Sequence, residues 1–185
     1  MRQPVDSTLI REFSRALAAA SRAEGRVYLV GGASAVLFGW RDSTVDIDLK
    51  LIPESDELLR SLPALKERLH INIEIASPDH FIPELPGWQE RSVFIQQEEK
   101  LAFFHYDFYA QALAKIERGH ELDLKDVYEM FKRGLVEPSR LRKLFVAIES
   151  QLYRYPAIDP PHFRKAVERV LLAIGNPVSP EKPIV

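Results

Sequence analysis

The sequence predicts an α/β (α+β) fold: a short mixed sheet flanked by helices, followed by a helical C-terminal part. Three observations predict it. Residues 45–50 and 70–76 alternate apolar and polar side chains, the two-residue period of a half-buried strand. Between such runs lie stretches with apolar residues three and four apart, the period of an amphipathic helix. From residue 107 onward the pattern is helical almost throughout. The expected organisation is a core over residues 1–106, a helical part packed on it over 107–175, and a flexible tail over 176–185.

Taken in order, residues 4–24 read as a helix with Asp6 or Ser7 as N-cap, Gly25 as stop, and Leu9, Phe13, Leu17 and Ala20 as its apolar stripe. Residues 27–30, Val-Tyr-Leu-Val, have strand length and composition. Gly31-Gly32 follows, where the backbone can take positive φ or lie close to a ligand. Residues 33–38 read as a short helix closed by Gly39.

A second strand starts near Val45, with Val45, Ile47 and Leu49 on the core face and Asp46, Asp48 and Lys50 on the other. Two carboxylates about 7 Å apart along a strand repel each other unless a cation sits between them. Hard divalent cations with oxygen ligands are the natural occupants, Mg²⁺ above all. A helix N-terminus behind glycines offers N–H groups and a positive dipole end to an anion. Phosphate with Mg²⁺ is the economical combination, and it leads to phosphoryl-group chemistry.

After Pro53, Ser55 caps a helix through Leu69 that Pro63 is expected to kink or split. Residues 70–76 form the third strand, with Ile71, Ile73 and Ile75 facing the core and Glu74 opposite. If this strand neighbours the Asp46–Asp48 strand, Glu74 reaches the same metal site; otherwise it is a plain solvent-facing glutamate. Residues 77–88 hold three prolines and a glycine and read as loop. Residues 92–97 and 101–106 form a hairpin, with Phe94, Phe103, Phe104 and Tyr106 expected in the core.

Asp107 caps a helix ended by Gly119, and the next helix covers about 122–133. Lys115 and Arg118, and then Asp123 and Asp126, are each spaced three apart on one helix face; on isolated helices these would be surface ion pairs. A further helix runs from Pro138 or Ser139 to about Arg154, and the last begins at Asp159-Pro160-Pro161 and ends at Gly175.

Gly31-Gly32-Ala33-Ser34 followed by Asp46-Ile47-Asp48 resembles the nucleotidyltransferase signature of the DNA polymerase β superfamily. With Arg41, Ser43 and Thr44 before the aspartates, and Lys115-x-x-Arg118 followed by Asp123 and Asp126, the chain is similar to AbiEii- and MenT-like toxin nucleotidyltransferases. The resemblance implies a polymerase β-type core that moves an NMP from an NTP to an acceptor hydroxyl, on RNA or protein, and releases pyrophosphate. It implies Asp46, Asp48 and Glu74 as ligands of Mg²⁺, with Mn²⁺ as an alternative, and Glu74 as third carboxylate. Gly31, Gly32, Ser34 and Arg41 would meet the nucleotide, Lys115 its triphosphate, and Asp126 would hold or orient it, with Arg118 and Asp123 as structural support. A cognate antitoxin is the partner it suggests. The rival reading is a nucleotide-binding or partner-binding module that keeps the fold without turnover.

Composition narrows the classes further. The 185 residues, 46% hydrophobic, suit one domain or a compact core with an appendage. There is no run of ~18 apolar residues and no charged-then-apolar start, so a cytoplasmic protein with no membrane partner is expected. Without cysteine there are no disulfides, thiolate zinc sites or cysteine nucleophiles. The five histidines fall at no metal-ligand spacing. Residues 138–170 hold seven basic residues against three acidic, on an otherwise acidic chain. That segment is either an RNA contact or a solvated face.

Overall fold

The structure is a computed structural model, and it describes residues 3–175; the tail expected over 176–185 lies outside the described residues. Five strands form one mixed sheet in the order β3-β2-β1-β5-β4. The central strand β1 (Gly25–Val30) runs antiparallel to β2 (Asp46–Ile52) and parallel to β5 (Leu101–His105). β3 (Asn72–Ile75) joins the far edge of β2 in parallel, and β4 (Val93–Glu98) pairs antiparallel with β5. Val27, Tyr28 and Leu29 are all buried, because β1 is covered on both faces. That explains a continuous apolar run where a half-exposed strand would alternate.

On one face of the sheet lie α1 (Ser7–Ala19) and α3 (Asp56–Leu69). Phe13 and Leu17 of α1 and Leu58, Leu62 and Leu65 of α3 pack with Ile47, Leu49 and Ile73 of the strands. α1 is shorter than residues 4–24, since Val5 is already bridged to Thr44 and Asp6 caps the helix by accepting from Leu9 N at 2.9 Å. Pro63 lies inside α3, which continues through it as one helix.

The opposite face is covered from the C-terminal half, by α5 (Phe108–Arg118), α6 (Glu121–Lys132), α7 (Pro138–Glu149) and α8 (Pro160–Gly175). Their buried side chains, among them Leu113, Met130, Phe145 and Phe163, form one cluster with Tyr28, Trp88 and Tyr106. Two short helices complete the set: α2 (Gly32–Leu37) after β1, and α4 (Trp88–Arg91) before β4. Residues 77–88 are mostly irregular, as expected, but contain a 3₁₀ turn at Pro78–His80. The helix expected to run to Arg154 stops at Glu149, and a separate 3₁₀ turn covers Leu152–Arg154.

Two core assignments are corrected. Val45 is 78% exposed: the ladder to β1 ends at Asp48 and that to β3 at Asp46, so nothing lies over a residue beyond both. Phe94 is 57% exposed, because β4 is an edge strand bulged between Phe94 and Gln96. Phe103 and Tyr106 are buried as expected, and Phe104 is half-buried. Among the described residues, no helix is long and apolar enough to cross a membrane.

Candidate active site

The strand period brings the acids together. Ile47, Leu49 and Leu51 point into the α1–α3 layer and are buried, which turns Asp46 and Asp48 to the other face. The parallel register of β2 and β3 then sets Asp48 opposite Glu74. Asp46, Asp48 and Glu74 each present a carboxylate oxygen, and these oxygens lie within 4.8 Å of one another. Glu74 is the exposed member and accepts from Asn72 Nδ2 at 2.7 Å.

Such crowding disfavours ionisation. Burial, then the charges of Asp46 and Glu74, push the Asp48 carboxyl up to about 7. Burial and Glu74 also raise Asp46 above the usual aspartate range. Groups that resist charging in each other's company are relieved by a cation among them. An all-oxygen, all-carboxylate donor set suits a hard divalent ion such as Mg²⁺ or Mn²⁺.

The two glycines of the turn after β1 do different things. Gly31 has φ 58°, and its N–H donates to Gln111 Oε1 at 2.8 Å. A Cβ at Gly31 would stand 3.5 Å from Asp48 Oδ2. At Gly32 a Cβ would fall 2.0 Å from Thr44 Oγ1 and 2.7 Å from Thr44 Cβ. Gly32 therefore permits the turn to close against the chain that leads into β2. Ser34 is fully buried and its hydroxyl is turned inward, donating to the Leu29 carbonyl at 3.2 Å and meeting His105 Nδ1 at 3.0 Å.

Gln111, Lys115 and Arg118 are spaced i, i+4, i+7 along α5 and share one face. Lys115, only 5% exposed, gives two of its ammonium hydrogens to Asp123 Oδ1 (2.9 Å) and Asp126 Oδ2 (2.7 Å) of α6. Arg118 grips Asp123 with two bonds of 2.7 Å. Arg41 grips Asp126 through Nε at 2.9 Å and Nη2 at 2.5 Å, and Trp40 Nε1 donates to the same carboxylate at 3.1 Å. The burial that would raise Asp123 is outweighed by Arg118 and Lys115, which hold its carboxyl below the usual range. Asp123 is therefore a fixed anion, and the bonds to the two aspartates tie α5, α6 and the segment before β2 into one unit.

These elements enclose a cleft of about 220 Å³. Of the residues expected at the site, Asp46, Asp48, Glu74, Gly31 and Lys115 line it together. Gly32, Ser34, Arg41 and Asp126 do not. Gly32 and Ser34 pack behind the turn, Asp126 lies beneath Lys115, and Arg41 lines an adjoining groove that meets the cleft at Asp46.

Sequence reasoning missed Gln111 and Phe81 in the cleft and gave Arg118 only a supporting part. The signal for Gln111 was available, since a glutamine four residues before Lys115 shares its helix face. Its amide locks the Gly31 turn to α5, with Nε2 donating to the Tyr106 carbonyl at 2.7 Å. No signal marked Phe81, which stands in irregular chain.

A family model described as "Nucleotidyltransferase of unknown function (DUF6036)" matches residues 8–159. No curated protein and no solved structure matches the chain.

Proposed function

The chain belongs to this family of nucleotidyltransferases of unknown function, and from that premise we propose that it transfers an NMP from an NTP to an acceptor hydroxyl with Asp46, Asp48 and Glu74 as the metal-binding centre. One observation carries the reading: three carboxylates within 4.8 Å share a cleft with Lys115 and Arg118. Carboxylates gathered for their own sake would repel each other, whereas a divalent ion and a polyphosphate use both signs of charge.

Asp46, Asp48 and Glu74 would hold Mg²⁺, or Mn²⁺. Bound there, the ion supplies neutralisation of charge on the attacking and leaving oxygens. The acceptor oxygen forms a bond to the α-phosphorus while the bond from that phosphorus to the bridging oxygen breaks. Pyrophosphate leaves with the bond's electron pair. Glu74, the exposed carboxylate, is the group we assign to take the hydroxyl proton.

Lys115 has given two of its three N–H groups to Asp123 and Asp126, and the third is the one we assign to a phosphate oxygen. Held this way, the ammonium is aimed before substrate arrives, which lowers the ordering cost of the contact. Asp126 acts through Lys115 and Arg41, as a positioning residue.

The resemblance to AbiEii- and MenT-like toxins takes the proposal one step further, to a cytoplasmic toxin restrained by a cognate antitoxin. Its acceptors would be RNA 3′ ends or protein hydroxyls. The test is incubation with each α-labelled NTP, Mg²⁺ and either total RNA or lysate. Label in RNA or protein, with pyrophosphate released, supports the reading. NTP binding without pyrophosphate from any of the four nucleotides favours the binding module instead.

A further inference from the structure

We propose that Phe81 is the platform on which the nucleobase of the NTP stacks; this rests on the transferase reading of the same cleft. The cleft has two chemically distinct walls. β2, β3 and α5 supply its charges, in Asp46, Asp48, Glu74, Lys115, Glu117 and Arg118. The segment after β3 supplies Ala76, Pro78 and Phe81. A nucleoside triphosphate has the same division, with a polyanion at one end and a flat aromatic base at the other.

Phe81 is 51% exposed. A single exposed apolar residue is ordinary on a protein surface, but the chain that carries this one is held from several sides. Asp79 takes Lys50 Nζ at 2.5 Å and Ser77 Oγ at 2.6 Å, and Tyr106 reaches the same carboxylate at 3.3 Å. The Asp79 carbonyl accepts from Tyr155 Oη at 3.1 Å, and Phe81 N–H closes on Pro78 O at 2.9 Å. The burial that would raise the Asp79 carboxyl is outweighed by Lys50 and Ser77, which hold it below the usual range, so the anchor is an anion.

The anchoring also pairs the charges that hold this segment. Asp79 and Lys50 neutralise each other, and the neighbouring apolar residues Ile82 and Leu85 are buried. What this segment presents to the cleft is the Phe81 ring on a fixed backbone. Base–aromatic stacking tolerates any base, because every base has a π-face. Phe81 therefore contributes affinity for the nucleoside end and leaves the phosphates to the charged wall.

The test compares ATP and inorganic tripolyphosphate, each with Mg²⁺, by titration calorimetry against the wild-type chain, Phe81→Ala, Phe81→Leu and Phe81→Tyr. Stacking predicts about tenfold weaker ATP binding in Phe81→Ala and Phe81→Leu, near wild-type binding in Phe81→Tyr, and unchanged tripolyphosphate affinity in all three. ATP affinity unchanged in Phe81→Ala, in a wild type that binds ATP, overturns the platform and leaves the transferase reading standing. Equal losses for ATP and tripolyphosphate also overturn it, since the substitution would then have disturbed the phosphate end. A wild type that binds neither ligand overturns the reading of the cleft, and the platform with it.

Discussion

Asp48 and Glu74 are register partners across the parallel β2–β3 pair, and Asp46 stands two residues before Asp48 on the same face. Parallel pairing holds side chains of equal register side by side. The third carboxylate therefore comes from a different strand yet lies with the first two. Burial and this company make Asp48 reluctant to ionise.

Removing that charge should stabilise the metal-free protein. Asp48→Asn keeps the shape and removes a carboxyl whose ionisation burial, Asp46 and Glu74 oppose, so the comparison is made above pH 7. In chelator, the variant should melt about 2–4 °C above wild type, the shift expected for about 1 kcal/mol in a domain of this size. Mg²⁺ should raise the melting temperature of wild type and leave the variant unmoved. A variant less stable than wild type in chelator would mean that the crowding is not strained.

Asp126 should matter through what it holds. Asp126→Asn removes the anion shared by Lys115 and Arg41 while keeping most of the volume. Breaking a buried pair by removing one partner costs about 3–5 kcal/mol. A large loss of stability, measured by urea unfolding, is therefore expected. Leu113, buried on α5 with Lys115 but outside the network, supplies the comparison. Leu113→Ala should also destabilise, by about 2–5 kcal/mol, but in conditions where both remain folded only Asp126→Asn should weaken tripolyphosphate binding.

Gly32→Ala tests the turn. Its methyl would fall against Thr44 Oγ1 at 2.0 Å and Thr44 Cβ at 2.7 Å, and overpacking of this kind costs about 1–3 kcal/mol. Adding Thr44→Gly should recover part of the loss, because it clears both contacts. Full additivity of the two substitutions would show that Gly32 and Thr44 do not meet.

His105 should make the fold acid-sensitive. It is buried against Phe38, Phe108 and Ser34, and burial pulls its imidazole down to about 4. The unfolded chain takes up a proton near pH 6.5 and the folded one only near 4, so this contribution is full above that window and is lost as pH falls through it. The lost stability amounts to about 3 kcal/mol. His105→Gln, which does not titrate, should lose less stability than wild type when the pH is lowered from neutral to the foot of the window. Equal losses in urea unfolding would contradict the burial of a neutral ring.

Much of the fold was legible in the sequence because strand alternation and helix caps are local. Asp46, Asp48 and Glu74 followed from a two-residue period, and Asp107, Ser55 and Gly119 marked helix ends where the structure has them. What stayed hidden depends on register and on neighbours. Val45 fits the alternation but lies past the end of both ladders. The inward turn of Ser34 depends on His105, seventy-one residues away.

The basic segment shows the same limit. Arg142 and Arg164 are consumed by Glu168 and Glu149, which join α7 to α8, and Arg140 lies over the Tyr109 ring. An excess of positive charge counted along the chain does not reveal which charges are already paired.

We assign Asp46, Asp48 and Glu74 to hold the divalent ion used in transfer. Mn²⁺ binding followed by electron paramagnetic resonance tests it most directly, since bound Mn²⁺ loses the sharp multi-line signal of the free ion. Wild type should bind Mn²⁺, more tightly with NTP present, and Asp46→Asn/Asp48→Asn should not, while circular dichroism shows the variant folded. Equal Mn²⁺ binding by a folded double variant would contradict that assignment.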